Sequence, residues 1–218
     1  MIFSLDYPSK SIFTPALSVK MLSENISDSL LHSLREIVLK EEPNIIKNVP
    51  PANENDPDWM TGRLWKYNFL NLDYDEIRQL KQWISDKHKG YVTSLGYTPP
   101  KVYIQCWVNI LRNNGRRIIP HHHADGHSDT PNAPQEYAYL SGNLCIQTNE
   151  TSTWFQNPFL NQQVHAIPNK DGECIFFPSW VVHWTDVNKS DVPRITISFD
   201  IITEEFYNII DGKNYMEL

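Results

Sequence analysis

The chain has 218 residues, with 19 Lys and Arg against 26 Asp and Glu, giving a formal charge of −7. That length suits one large domain, and 40% apolar residues with 7 Trp, 10 Tyr and 9 Phe exclude a disordered chain. The acidic balance argues against nucleic acid as a partner, because phosphate binding needs clustered Lys and Arg. Residues 1–25 mix apolar and polar positions without helical period, broken by Pro8 and Pro15, so short strands or an ordered arm are expected. The opening MIFSLDYPSK has neither a basic start nor a long apolar run, so a cleaved secretory signal is not expected. From Ser27 to Lys40 the apolar residues Leu30, Leu31, Leu34, Ile37 and Val38 lie on one helical face. The spacing predicts an amphipathic helix with Ser27 or Asp28 as N-cap and Pro43 as its stop.

Residues 49–58 hold three prolines and read as a loop, and Trp59 to Phe69 read as a strand. A second helix is predicted from Asp73, where Asp73 and Glu76 form a capping-box pattern. Ile77, Leu80, Ile84 and Tyr91 share its face, and Gly90, Gly96, Pro99 and Pro100 mark its exit. Beyond residue 100 the texture changes to β-branched and aromatic runs at 101–111, 137–147, 174–184 and 194–202, separated by Gly, Asn, Pro and Asp clusters. This is the pattern of a β-sandwich or jelly roll, with the two helices packed on an outer sheet. The expected organisation is a single domain: a support region over 1–100, a catalytic core over 101–203 and a tail over 204–218. The longest apolar run, Cys174–Trp184, is interrupted by Pro178, Ser179 and His183 and cannot span a bilayer. Cys106, Cys145 and Cys174 sit inside apolar runs and read as buried thiols of a reducing compartment, so a soluble cytoplasmic protein is expected.

The chemistry concentrates in PHHHADGH, residues 120–127. In an extended strand, side chains two apart share a face. His121, His123 and Asp125 would therefore project together, offering two imidazoles and a carboxylate to a divalent first-row metal. The local pair is either His121-x-His123 or His123-x-Asp125. His183 lies 58 residues beyond Asp125, in the run FFPSWVVH. A lone His in such a run is usually a satisfied core residue. Here a Pro-Ser turn followed by a short strand can return its imidazole to the first cluster, completing a facial triad with open coordination positions. Arg194, 11 residues further on, opens the strand RITISF and shares one face with Thr196 and Ser198. If that face is the barrel interior, the guanidinium needs an anionic partner, and a bidentate carboxylate with Thr196 as a further donor would satisfy it. A metal at one end and a carboxylate clamp at the other suit a 2-oxo acid.

The ordered motifs WVNI (107–110), Gly115, P-H-x-H (120–123), LSG (140–142), G-x-x-IFFPSW-x-x-H (172–183) and RITISF (194–199) resemble the iron(II)- and 2-oxoglutarate-dependent oxygenases. The likeness is greatest to the prolyl-hydroxylase-like group common in bacteria and marine bacteriophages, over residues 103–202. It implies a double-stranded β-helix, iron held by the first cluster and His183, and 2-oxoglutarate held by Arg194, with Asn109 near the cosubstrate. It further implies hydroxylation of a second substrate, a peptidyl prolyl or other protein residue. One departure is Asp125–Gln135, which reads as an insertion and supplies Asp125. Alignment on Pro120 favours His121 as third ligand, whereas oxygen activation favours the carboxylate of Asp125, and both stay open here. Two other readings remain. A cupin-like metalloenzyme without 2-oxoglutarate would turn Arg194 to solvent and build its site from three imidazoles with no carboxylate, and a non-enzymatic jelly-roll binding module would hold His183 apart from residues 121–125.

Overall fold

The computed structural model describes residues 1–9, 16–48, 67–112, 117–123, 138–157, 160–209 and 214–218. Two strands, β1 (Ile2–Tyr7) and β2 (Leu17–Asn25), precede helix α1 (Asp28–Asn48), and a 3-10 turn at Phe69–Asn71 leads into helix α2 (Asp75–Ser94). Seven strands then follow: β3 (Val102–Leu111), β4 (Leu140–Gln147), β5 (Ser152–Asn157), β6 (Leu160–Pro168), β7 (Glu173–Pro178), β8 (Val182–Thr185) and β9 (Arg194–Thr203). A short helix α3 (Glu204–Ile209) and strand β10 (Met216–Glu217) complete the order. A seven-stranded sheet in the order β1-β2-β7-β4-β9-β3-β10 faces a three-stranded sheet, β6-β5-β8. This is the expected mainly β jelly roll. β1 and β2 extend the large sheet beyond β7, and β10 borders β3 at the other edge.

Alternation along the strands divides the large sheet into two unlike faces. Outward, Ile104, Cys106, Val108 and Ile110 of β3, Leu144 and Ile146 of β4, and Ile195, Ile197, Phe199 and Ile201 of β9 form one apolar cluster. Leu34, Ile37 and Val38 of α1 and Ile77, Leu80 and Ile84 of α2 close it. Each such side chain contributes roughly 1.5–3 kcal/mol when fully buried. Inward, β1, β2 and β7 pack Tyr7, Met21 and Phe177 against Phe155 of the small sheet. The inward rows of β3, β9 and β4 are instead largely polar. Asn109 faces Thr196, which faces Cys145; Trp107 faces Ser198, which faces Asn143; Gln105 faces Asp200, which faces Ser141.

Helix α1 runs on past Pro43 to Asn48 instead of stopping there. Pro43 lies on the exposed face, so the carbonyl it leaves without a donor meets water, while Glu42 and Ile45 continue the buried stripe. Ser27 caps the start, its Oγ accepting from Leu30 N at 3.3 Å. Helix α2 is not capped by Asp73. Tyr74 holds the N-cap position without a side-chain bond, and Asp73 and Asp75 both bind Arg78. Gly90 lies inside α2, and the left-handed exit falls at Gly96, φ +88. The strand expected through Phe69 is a 3-10 turn at its described end, the remainder lying outside the described residues. Asn68 pins that turn, donating to Ile104 O and Asn214 O and accepting from Leu70 N and Cys106 N. Cys106, Cys145 and Cys174 are free buried thiols, and burial pushes Cys145 up to about 12. Among the described residues no helix is long and apolar enough to cross a membrane.

Two stability predictions follow from this packing. Phe199 lies over Gly142 so closely that an added Cβ would sit 2.0 Å from its ring. Gly142→Ala is expected to cost about 1–3 kcal/mol in urea unfolding and far less in a Phe199→Ala background. Buried His88 hydrogen-bonds the Tyr139 hydroxyl, and burial followed by nearby Lys89 pushes its pKa down to about 4. The unfolded chain therefore takes up this proton first, so stability is intact above about pH 6.5 and falls as pH drops toward 4. Between pH 6.5 and 5 the wild type should lose about 1–2 kcal/mol more than His88→Gln, and equal losses would refute the assignment.

Candidate active site

The segment before the His run lies antiparallel to β8. Thr185 N donates to Ile118 O, and the backbones of His121 and His183 exchange hydrogen bonds at 3.1 and 2.9 Å. Directly opposed residues of an antiparallel pair carry neighbouring side chains, and the two imidazole centroids are 4.3 Å apart. The Pro178–Val181 turn fixes the third ring, because Ser179 O accepts from His123 N at 2.8 Å. The His123 centroid is then 4.9 Å from His121 and 5.1 Å from His183. One ligand nitrogen from each of the three lies within 4.8 Å of the other two.

Each imidazole is oriented by an acceptor behind it. His121 Nδ1 meets Ile119 O at 2.8 Å, His183 Nδ1 meets Val181 O at 3.0 Å, and His123 Nδ1 meets Asp200 Oδ1 at 2.6 Å. Carbonyls and carboxylates only accept, so each Nδ1 carries a proton, and in the neutral ring this tautomer leaves Nε2 as the lone pair a metal ligand needs. His123 Nε2 is buried and has no partner among the described residues. Burial, with His123 nearby, pushes His121 down to about 4 and pushes His183 well below the usual imidazole range. Three imidazoles arranged in this way fit a first-row divalent cation. Trp107 stacks on His123, and Phe155 and Phe177 border His183, giving the cluster an apolar wall.

Arg194 is 1% exposed. Its Nε donates to Thr151 Oγ1 at 3.1 Å, whereas Nη1 and Nη2 have no hydrogen-bond partner among the described residues. Burial lowers its pKa. A guanidinium left this way is costly unless an anion meets it. Asn109 Nδ2 donates to Ser198 Oγ at 3.1 Å and to Thr196 Oγ1 at 3.4 Å, and Ser198 passes a hydrogen bond to Asn143. Arg194 does not turn to solvent, which removes one of the two conditions of the cupin-like reading, although the three-imidazole cluster without a carboxylate meets the other; His183 is not held apart, against the condition of the binding-module reading.

Asp125 and the insertion to Gln135 lie outside the described residues. Arg112 grips Glu42 of α1 with Nη2, at 2.8 and 2.9 Å from its two oxygens, and so ties helix to sheet. Phe155 is core, while Trp154 stacks on Trp184 beside a groove of about 570 Å³ on the small sheet. Asp186 accepts from Trp154 Nε1 and Ser152 N, tying β5 to the segment after β8. His165 sits half-buried on the edge strand β6, with its Nε2 at Asp6 O. Asp200 and its partner Ser141 escaped the sequence reading. The period-2 count that joined Arg194, Thr196 and Ser198 reaches Asp200 at its next step.

A jelly roll thus gathers three imidazoles suited to a metal and buries a guanidinium whose Nη atoms lack partners among the described residues. Residues 105–200 match the family described as "Putative 2OG-Fe(II) oxygenase", and the matched segment contains all three imidazoles and Arg194. The fold is shared with the non-haem α-ketoglutarate-dependent carbocyclase SnoK from nogalamycin biosynthesis (TM-score 0.57, 12% identity, 84% of this chain and 79% of that one). A Pseudomonas putida prolyl-4-hydroxylase is similar at TM-score 0.55 and 11% identity, covering 84% and 92%. AviO1 from Streptomyces viridochromogenes matches at TM-score 0.55 and 10% identity, covering 84% and 90%. No curated protein sequence matches the chain.

Proposed function

We propose that the chain is a dioxygenase that couples oxidative decarboxylation of 2-oxoglutarate to hydroxylation of a second substrate, with a peptidyl prolyl or another protein residue as the substrate class. The single observation carrying this reading is the pairing of three inward-facing imidazoles with a buried guanidinium whose two Nη atoms lack partners among the described residues. His121, His123 and His183 would hold iron. His121 is preferred to Asp125 as the third donor because its ring lies against His183 with Nδ1 already engaged. When bound, the ferrous ion supplies open coordination positions and the electrons for oxygen activation. Arg194 takes the distal carboxylate of the cosubstrate through Nη1 and Nη2, with Thr196 and Asn109 as neighbouring polar groups. Trp107, Phe155 and Phe177 keep bulk water from the imidazoles. The peptidyl substrate is suggested by the shared fold with the P. putida prolyl-4-hydroxylase.

We also read the chain as one working unit: a support region (1–100), a catalytic core (101–203) and a tail (204–218). The pairing of β2 with β7 and of β10 with β3 supports this. The three free, buried cysteines fit a cytoplasmic setting, and the acidic charge fits a protein without nucleic-acid or membrane partners.

Anaerobic titration with Fe(II) and 2-oxoglutarate should develop a visible metal-to-ligand charge-transfer band. His183→Ala should abolish it, and Arg194→Ala should raise the 2-oxoglutarate concentration needed by at least about tenfold, the loss of one charged hydrogen-bonding partner. An unchanged band in both variants would overturn the proposal. For the third donor, His121→Ala should lose Co(II) affinity while Asp125→Ala retains it, and the reverse result would assign the role to Asp125. Succinate release across proline-containing peptides then tests the substrate class.

A further inference from the structure

Three neutral imidazoles raise a charge problem. In a site of two histidines and one carboxylate, the acidic ligand offsets one charge of the ferrous ion. An all-histidine set does not. With a chelating 2-oxo acid carboxylate, the centre would keep one uncompensated positive charge beside the apolar wall of Trp107, Phe155 and Phe177, where charge is expensive.

Asp200 stands directly behind one of those ligands. Its Oδ1 is 2.6 Å from His123 Nδ1 and also accepts from Ser141 Oγ at 2.6 Å. Ser141 Oγ lies 2.8 Å from Ser179 Oγ, and Ser179 O accepts from the backbone N–H of the same His123. The four residues close a ring: His123 is held at its backbone by Ser179 and at its ring by Asp200, with Ser141 linking the two. Ser141 and Ser179 are fully buried, and Asp200 is 9% exposed. The other two imidazoles rest on backbone carbonyls, which carry no formal charge.

Resting on the reading that the three histidines hold iron, we infer that Asp200 is the positioning residue that supplies the metal centre's missing negative charge through the Nδ1–H of His123. A carboxylate behind an imidazole makes its far nitrogen a stronger donor, and loss of such a partner typically weakens metal affinity 10- to 100-fold. The arrangement places on β9 both charged groups the reaction requires: Arg194 toward the cosubstrate and, six residues along the same face, Asp200 toward the metal. On this inference the site has the charge of a two-histidine, one-carboxylate centre, with the carboxylate one imidazole removed.

Asp200→Asn is the decisive variant, because the amide oxygen can still accept from His123 and Ser141 while the charge is gone. Co(II) affinity should fall about 10- to 100-fold with the thermal midpoint little changed. In the anaerobic Fe(II)–2-oxoglutarate complex the charge-transfer band should move to shorter wavelength, since a weaker imidazole donor lowers the metal electrons in energy. Wild-type affinity together with an unmoved band would overturn the inference. A His183→Ala variant that still bound Co(II) normally would instead overturn the iron-site reading itself. If Asp200→Asn does not fold, the Zn(II)-loaded wild type decides. One imidazole N–H proton should resonate well downfield of the other two, because only one faces a carboxylate, and three equivalent signals would refute the role.

Discussion

Two backbone hydrogen bonds, exchanged between His121 and His183, are the constraint on which the rest depends. They join segments far apart in sequence and fix the register of one against the other. In an antiparallel pair a slip of one residue would turn every side chain to the opposite face. The rings of 121 and 183 would then no longer lie side by side, and His123 could not complete the cluster from two residues away. The Pro178–Val181 turn enforces the same register from its other end, through the Ser179 carbonyl on His123 N. The side chains capable of chemistry are thus placed by main-chain bonds, which tolerate less displacement than side-chain contacts do.

Strand β9 performs a second, complementary task. Its outward residues Ile195, Ile197, Phe199 and Ile201 lie under the helices, so the strand cannot rotate without exposing them. Its inward residues Arg194, Thr196, Ser198 and Asp200 are therefore held as a row with period-2 spacing. A buried guanidinium at one end of that row and a carboxylate at the other would attract each other if the chain were free to fold back. Six residues of extended strand keep them roughly 20 Å apart. Separation is what keeps the two from neutralising each other, leaving the Nη atoms of Arg194 without partners among the described residues and Asp200 its bond to His123.

Much of this was legible in the sequence, and the misses have physical reasons. His121, His123, His183 and Arg194 were visible because each combines an unusual residue type with a run whose period is plain. The helices were visible as stripes, but their ends were not. Pro43 reads as a stop unless one knows that it faces water, and Asp73 reads as a cap unless one sees Arg78 taking its carboxylate. Strands β5 and β6 were missed because STWFQN and LNQQVHAIP are interrupted by polar residues that only the sheet pairing makes sense of. Gly142 is required by the ring of Phe199 across the strand and not by a left-handed backbone, a demand that no local pattern in the sequence announces. Asp200 could not be read as functional from its own surroundings, FDII, because its role is set by His123, which topology alone brings to it.

The same polar row explains the way α1 and α2 pack on this sheet. An ordinary β-sandwich is stabilised by the apolar surface between its sheets. Here, over β3, β9 and β4, that inner surface is given to Asn109, Ser141, Asn143, Thr196, Ser198 and Asp200, which bury little hydrocarbon. The energy lost from the interior has to come from elsewhere. Helices α1 and α2 provide it by closing the outer face of the same three strands with Leu34, Ile37, Val38, Leu80 and Ile84. β1 and β2 add Tyr7 and Met21 to the inner side, but only toward β7, away from the polar row. Stability is thus concentrated on the side of the sheet that takes no part in chemistry, and the opposite side is free to hold charges that would otherwise unfold it.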